Sequence, residues 1–307
     1  SYRLLKNAMQ LRGDPCGIFC VILVYSSMAY ADYAFTVWMV LPTFGESIWG
    51  VIHLAIFNLL LLLVVAAHAR TMLADPGIVP INISGEMGRR PQAAFSADED
   101  SASDNDVFLP PNRSEFVGED WSVCTRCESF RPPRAHHCRV CRRCIRRMDH
   151  HCPWVNNCVG EFNQKYFLQF LLYVALASVY SVIVVILSWV FDKNHGHSVP
   201  RGGKEMTEHQ HKVLHTIFLC VEAALFGMFV CAVSCDQLQA ILNDETAVEA
   251  AVARRALHSS RRHSPPRSRF HSLRDVFGPG PSWTWLLPCT LQRGKRDLVR
   301  FPVYYQV

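Results

Sequence analysis

Residues 147–160 read RMDHHCPWVNNCVG, with an aspartate, two histidines and a cysteine side by side and a second cysteine after five further residues. Two kinds of chemistry fit such a stretch. Neighbouring thiols and imidazoles are zinc ligands. An Asp-His pair beside a Cys also supplies a nucleophile, its general base and the group that orients the base. The pattern extends upstream: from Cys124 the spacing is C-x2-C-x9-H-C-x2-C-x2-C-x4-D-H-H-C-x5-C. The pairs Cys124/Cys127 and Cys138/Cys141 have the spacing of zinc knuckles, and thiolate with imidazole suits tetrahedral zinc.

Counting sharpens the question. Seven cysteines lie between Cys124 and Cys158, and His136, His137, His150 and His151 bring the candidate ligands to eleven. One four-coordinate zinc would leave seven of these eleven groups over, and three would need more than are present. Two ions use eight and leave three free for another task. Spacing alone does not say which three. A module of about 40 residues with little apolar content needs metal to fold well.

The elements that must position this module are apolar. Half of the 307 residues are hydrophobic and the mean hydropathy is +0.09, although 31 Lys/Arg and 26 Asp/Glu are present. Both hold because the apolar residues are bunched into four runs, 16–41, 48–69, 166–191 and 213–234. Each reaches the ~20 residues that a membrane-crossing helix needs. The first is too long for a cleaved signal, and no small-residue cleavage site follows it. Thirteen Lys/Arg fall in 70–165 and eleven after residue 234, against none in 42–47 and four in 192–212. Positive charge collects on the cytosolic side. Both termini and the Cys/His module are therefore expected in the cytosol, where thiols stay reduced and bind metal or do chemistry rather than form disulfides. On this orientation the glycosylation-type sequences at Asn82 and Asn112 stay unmodified.

The expected organisation is an N-terminal segment 1–15, spans one and two in 16–69, a linker 70–119, the Cys/His module 120–165, spans three and four in 166–234, and a tail 235–307. Within the linker, 82–119 carries the acidic, Ser-rich SADEDSASDND and reads as disordered. In the tail a short helix is expected over 244–257, and the basic run 254–269 is either a solvated tail or a contact for anionic lipid head groups. Asp32 and Glu222 lie inside spans and are expected to face the bundle interior. The fold class is thus an all-α membrane protein, with four transmembrane helices and a two-zinc cytosolic module between the second and third.

The full spacing, the DPG at residues 75–77, HHCPWVNNCVG and VFGPGPSWTWLLP together resemble the DHHC-type protein S-acyltransferases, the membrane palmitoyltransferases. The DPG, the NDETAVE segment and the form of the tail resemble the Golgi-associated animal subgroup, which implies a Golgi membrane. Carried over, the resemblance implies one zinc on Cys124, Cys127, His137 and Cys144, and a second on Cys138, Cys141, His151 and Cys158. It leaves His136, His150 and Cys152. Cys152 would be the nucleophile that an acyl-CoA donor acylates, His150 its general base, and Asp149 the group that orients His150. Trp154 would contact the thioester. Arg131, Arg134 and His136 would form a basic cluster for the coenzyme A phosphates, as Arg suits phosphate geometry. Ala177 would sit near the closed end of an acyl tunnel, its small side chain admitting chains longer than palmitoyl.

Acceptors would be cysteine-containing proteins at the membrane, with the lipid bilayer as the third partner and no nucleic acid. The resemblance leaves the protein substrates and the oligomeric state, monomer or homo-oligomer, open. Two departures stand out. The family's Thr-Thr-x-Glu reads TAVE here, so Ala247 replaces a hydroxyl expected to brace the active site, and Ser272 takes the place of a tail Asn. A competing reading, a membrane-anchored zinc adaptor without chemistry of its own, explains metal and spans but gives Asp149, His150 and Cys152 no task.

Overall fold

The computed structural model describes residues 14–80, 122–192, 203–255 and 268–288. The acidic linker, both glycosylation-type sequences and most of the basic run lie outside the described residues.

Four helices are long and apolar enough to cross a membrane. The first begins at α1 (Pro15–Tyr33), capped by Asp14, whose carboxylate accepts the amides of Cys16 and Gly17. It runs on through a π-helical stretch, Ala34–Val40, into α2 (Leu41–Phe44). The helix runs past the expected end of the span at residue 41 and through Pro42. Proline lacks an amide and crowds the preceding turn. The wider turn accommodates this: the amide of Leu41 bonds the carbonyl of Thr36, five residues back. The second span is α3 (Ile48–Leu73), the third α4 (Gln164–Val190) and the fourth lies within α5 (Gly203–Leu242). The expected link 192–212 and tail 235–307 are both shorter than the sequence implied, because α5 continues past the apolar run at each end. Its last turns leave the apolar zone and reach the Cys/His module.

Side chains such as Ile22, Leu59, Leu62, Val179, Ile186 and Met228 point outward and are exposed, as lipid-facing residues are. Between the helices lie two apolar clusters. One gathers Val64, Ala67, Phe167, Phe170, Leu171 and Val230 around Cys152. The other gathers Phe35, Met39, Phe57, Ala177, Val184 and Leu219 farther from the module.

The module is the one β region among the described residues. Three antiparallel hairpins form it: β1 (Ser122–Cys124) with β2 (Ser129–Arg131), β3 (His136–Cys138) with β4 (Arg143–Ile145), and β5 (His150–Cys152) with β6 (Asn157–Val159). The DPG segment fastens it to α3. The Asp75 carboxylate accepts the amides of Gly77 and Ile78. Gly77, at φ +103°, accepts the amide of Arg146, and the Val79 amide bonds Cys144 O. Two short helices, α6 (Ala247–Arg255) and α7 (Arg269–Phe277), follow α5. The tail's Ser282–Leu286 turn ends against α4, where Gln169 Nε2 donates to the carbonyls of Trp285 and Leu287, and Tyr173 Oη donates to that of Leu286.

Candidate active site and metal centres

The hairpin registers bring the ligands together. His137 lies opposite Cys144 across β3–β4, and His151 opposite Cys158 across β5–β6. Two groups of four result: Cys124, Cys127, His137 and Cys144, and Cys138, Cys141, His151 and Cys158, each with its ligand atoms within 4.8 Å of one another. In the first, Cys127 Sγ is 3.1 Å from His137 Nδ1 and 3.7 Å from Cys144 Sγ. In the second, Cys141 Sγ is 3.3 Å from His151 Nδ1 and 3.2 Å from Cys158 Sγ. Ligands around tetrahedral zinc, at bond lengths of about 2.3 Å to sulfur and about 2.0 Å to nitrogen, stand roughly 3.5–3.8 Å apart. Both groups are therefore near the size of a zinc tetrahedron, and the donor set of thiols and imidazole is the one zinc prefers. Cys152 belongs to neither.

Cys152 ends β5 and is 5% exposed. The His150 ring is hydrogen-bonded to its side chain. On its other side His150 Nδ1 lies 2.6 Å from Asp149 Oδ2. Asp149 is 1% exposed and accepts two further bonds, from Gln237 Nε2 at 2.7 Å and from the Ala247 amide at 2.9 Å. Burial alone would raise its pKa, but the bonds from His150, Ala247 and Gln237 outweigh that and hold it below the usual carboxylate range. Burial likewise opposes the imidazolium, yet the bonds to Asp149 and Cys152 win, and His150 is pushed up to about 9. The three side chains thus form a chain of hydrogen bonds with a buried, permanently accepting end.

The TAVE segment explains how Ala247 serves there. Thr246 and Glu249 form a capping box: the Glu249 amide bonds Thr246 Oγ1 at 3.3 Å, and Glu249 Oε2 accepts the Thr246 amide at 2.8 Å. The box fixes the first turn of α6 and aims the Ala247 amide at Asp149. The brace comes from the backbone, so the loss of a hydroxyl at Ala247 does not remove it.

Arg134 requires a correction. Its guanidinium bonds Glu249 twice, at 2.7 and 2.9 Å, and also the Asp244 carboxylate and carbonyl. Asp244 also takes Arg147 at 2.8 Å. Arg134 therefore ties the module to the segment after α5 instead of offering a free fork to a phosphate. His136 is no cation partner either: burial, and then Arg131 and Arg134, press its pKa down. Of the expected basic cluster, Arg131 is half-buried and donates through Nε to Ser122 Oγ at 2.8 Å.

Cys152 and His150 stand at one end of an apolar cavity of about 320 Å³ between the spans. Trp154, Phe167 and Phe170 line it near Cys152, and Ala177, Ser181 and Leu219 line it farther in. Trp154 and Ala177 thus both line this space. The turn after Cys152 is held by a residue that the sequence did not single out. His68, fully buried on α3, bonds the Trp154 carbonyl through Nε2 at 3.0 Å and Tyr25 Oη through Nδ1 at 3.2 Å. Asn157 also went unnoticed. Its Nδ2 donates to the carbonyls of Thr71, Met72 and Ala74 at the end of α3. A lone histidine in the run VVAAHAR was the available signal for His68. Gln237 carried none, lying beyond the expected end of its span.

Residues 118–254 match the family model of the DHHC palmitoyltransferases. The chain is 36% identical to palmitoyltransferase ZDHHC7 of Mus musculus, over 90% of this chain and 79% of that protein. It is 34% identical to palmitoyltransferase ZDHHC3 of Homo sapiens, over 94% and 87%. The chain belongs to the DHHC palmitoyltransferase family. A more distant relative is the probable protein S-acyltransferase 12 of Arabidopsis thaliana, 33% identical over 57% of each chain. Membership decides between the two readings left by the residues: the protein is an enzyme, not an adaptor.

Proposed function

We propose that the protein transfers a long-chain acyl group, palmitoyl above all, from acyl-CoA to cysteine thiols of membrane-associated proteins, by a ping-pong cycle through acyl-Cys152. One observation carries this reading: the cysteine left out of both ligand groups is the one at the mouth of the apolar cavity, bonded to His150. In the first half-reaction Cys152 Sγ attacks the thioester carbonyl with its proton already held by His150, as the raised pKa of that imidazole favours. The bond to the coenzyme A sulfur breaks, and coenzyme A leaves carrying that proton. In the second, an acceptor thiol gives its proton to His150 and attacks acyl-Cys152, which regenerates the Cys152 thiol. Asp149 keeps the imidazole oriented and stabilises its charged form. His68 fixes the turn that presents the nucleophile.

The cavity gives the acyl chain a place out of water. At ~0.8 kcal/mol per buried CH2, the roughly 14 methylenes of palmitoyl are worth about 11 kcal/mol. Zinc, when bound by the two groups of four, supplies stability to hairpins too small to fold alone. With all four positions in each group taken by protein, its role is structural. The charge distribution supports a cytosolic side for both termini, the linker 70–119, the module 120–165 and the tail. The subgroup resemblance favours the Golgi membrane.

The test uses purified protein and labelled palmitoyl-CoA. The expected result is a hydroxylamine-labile label on Cys152 that is lost in Cys152→Ser while two zinc ions per chain remain. A label that persists in Cys152→Ser, or metal found on Cys152, would overturn the reading.

A further inference from the structure

The far part of the cavity is not uniformly apolar. Glu222 of α5 lines it together with Ser27, Ser178 and Ser181. Ser27 is hydrogen-bonded to the Glu222 carboxyl. The second carboxyl oxygen, Oε2, is buried and has no hydrogen-bond partner among the described residues. Ser27 Oγ also lies 3.3 Å from the Val24 carbonyl, and Ser181 Oγ gives its proton to the Ser178 carbonyl at 2.9 Å. A saturated chain brings nothing to such a patch. A buried polar atom without a partner is costly and rare in native structures.

The depth of this patch follows from helix packing. α4 and α5 run antiparallel, with Gly227 against Ser178 and Trp189 Nε1 bonded to Thr216 Oγ1 at 3.1 Å. Val233 lines the cavity near Cys152. Glu222 lies eleven residues from Val233 toward the far side, about 16 Å of helix rise. A group bonded to Glu222 would therefore belong to the distal part of a long acyl chain and not to the carbons beside the thioester.

We propose that Glu222 and Ser27 form a polar subsite that recognises an acyl chain carrying a hydroxyl near its far end. The hydroxyl donates to the free carboxyl oxygen, which is an acceptor in either protonation state. This extends the accepted donors from plain to ω-oxygenated long-chain acyl-CoA, and it rests on the acyltransferase reading above.

Purified protein is offered equimolar pairs of palmitoyl-CoA with ω-hydroxypalmitoyl-CoA, and palmitoyl-CoA with β-hydroxypalmitoyl-CoA. The adduct on Cys152 is read by mass spectrometry as a ratio within each sample, so a general loss of loading cancels. The wild type is expected to load the ω-hydroxy chain in preference to the β-hydroxy chain. Glu222→Leu is expected to lower the ω-hydroxy to palmitoyl ratio about tenfold, the effect of one lost buried hydrogen bond. Glu222→Gln, which keeps a donor and an acceptor, should lower it less. Ser27→Ala should move the ratio in the same direction, which covers a Glu222→Leu protein that does not fold. A ratio that is the same in wild type, Glu222→Leu and Ser27→Ala overturns the proposal, as does equal loading of the β- and ω-hydroxy chains. Absence of any adduct on Cys152 from all donors is a different result and overturns the acyltransferase reading itself.

Discussion

The two ends of the cavity are furnished in opposite ways. At the mouth, the polar groups of Asp149, His150 and Cys152 are matched: Asp149 accepts from three donors supplied by three separate segments, and His150 bridges it to Cys152. At the far end, bulk and shape dominate, with Phe35, Phe57 and Leu219 packed around Ala177, and the polar atoms present are incompletely paired. The difference teaches a division of labour. A satisfied, rigid network suits a centre that must hold one geometry whatever the donor. A loosely specified apolar end, with a few unpaired oxygens, suits a region that sorts donors by length and by what they carry. Changes at the mouth should therefore alter the rate for every donor alike, and changes at the far end should alter which donor is taken.

The largest effect is expected at the mouth. Asp149→Asn leaves the shape but loses the acceptor that fixes the imidazole, and acylation of Cys152 should fall on the order of ten-thousand-fold. Rapid-quench labelling with palmitoyl- and myristoyl-CoA checks this, and the two donors should fall together. A donor-dependent loss would break the division. Next comes Ala177→Phe. Overfilling a packed site costs about 1–3 kcal/mol, roughly tenfold to hundredfold, so competition between the same two donors should swing by that factor toward the shorter chain. A strong preference for short donors already present and unmoved by Ala177→Phe would contradict the assigned depth of this residue.

Smaller effects refine the mouth. His68→Leu leaves the Trp154 carbonyl unpaired in a buried place, and loading should slow about tenfold for both donors; Tyr25→Phe, one bond farther out, should slow it less. Ala247→Pro is the more pointed test of the backbone brace. Proline is well tolerated at the first position of a helix, so α6 should persist, measured by circular dichroism, while the amide donated to Asp149 disappears. About a tenfold loss of loading is expected. Ala247→Thr keeps that amide and should change loading by less than about threefold.

The number of spare groups was legible in the sequence because ligand counts are nearly arithmetic, while which groups they are came from the family resemblance. Counting eight ligands out of eleven left three free groups, and the structure brings two of these three, His150 and Cys152, to the cavity mouth. The four spans were legible because long apolar runs have few alternatives. What was not legible has a common physical cause. The supports of the centre act through backbone or from residues distant along the chain: an alanine amide, a glutamine on a helix that outruns its apolar stretch, and a histidine whose partner is a carbonyl. None has a type or a spacing that announces its task. Arg134 shows the reverse error. Its type argued for phosphate, but its donors were already taken by Glu249 and Asp244.

Asn157 has a consequence for the acceptors. By gripping three carbonyls at the end of α3, with Asn163 adding a bond to Thr71 O at 3.2 Å, it latches the hairpins to the bundle. On the proposed reading, the Cys152 sulfur is then held at a set height relative to the spans and is not free to swing outward on a tether. On that reading an acceptor has to bring its own thiol down to that level. Cysteines a few residues from a membrane helix, or beside an existing lipid anchor, can make the descent; those on the crown of a large cytosolic domain cannot.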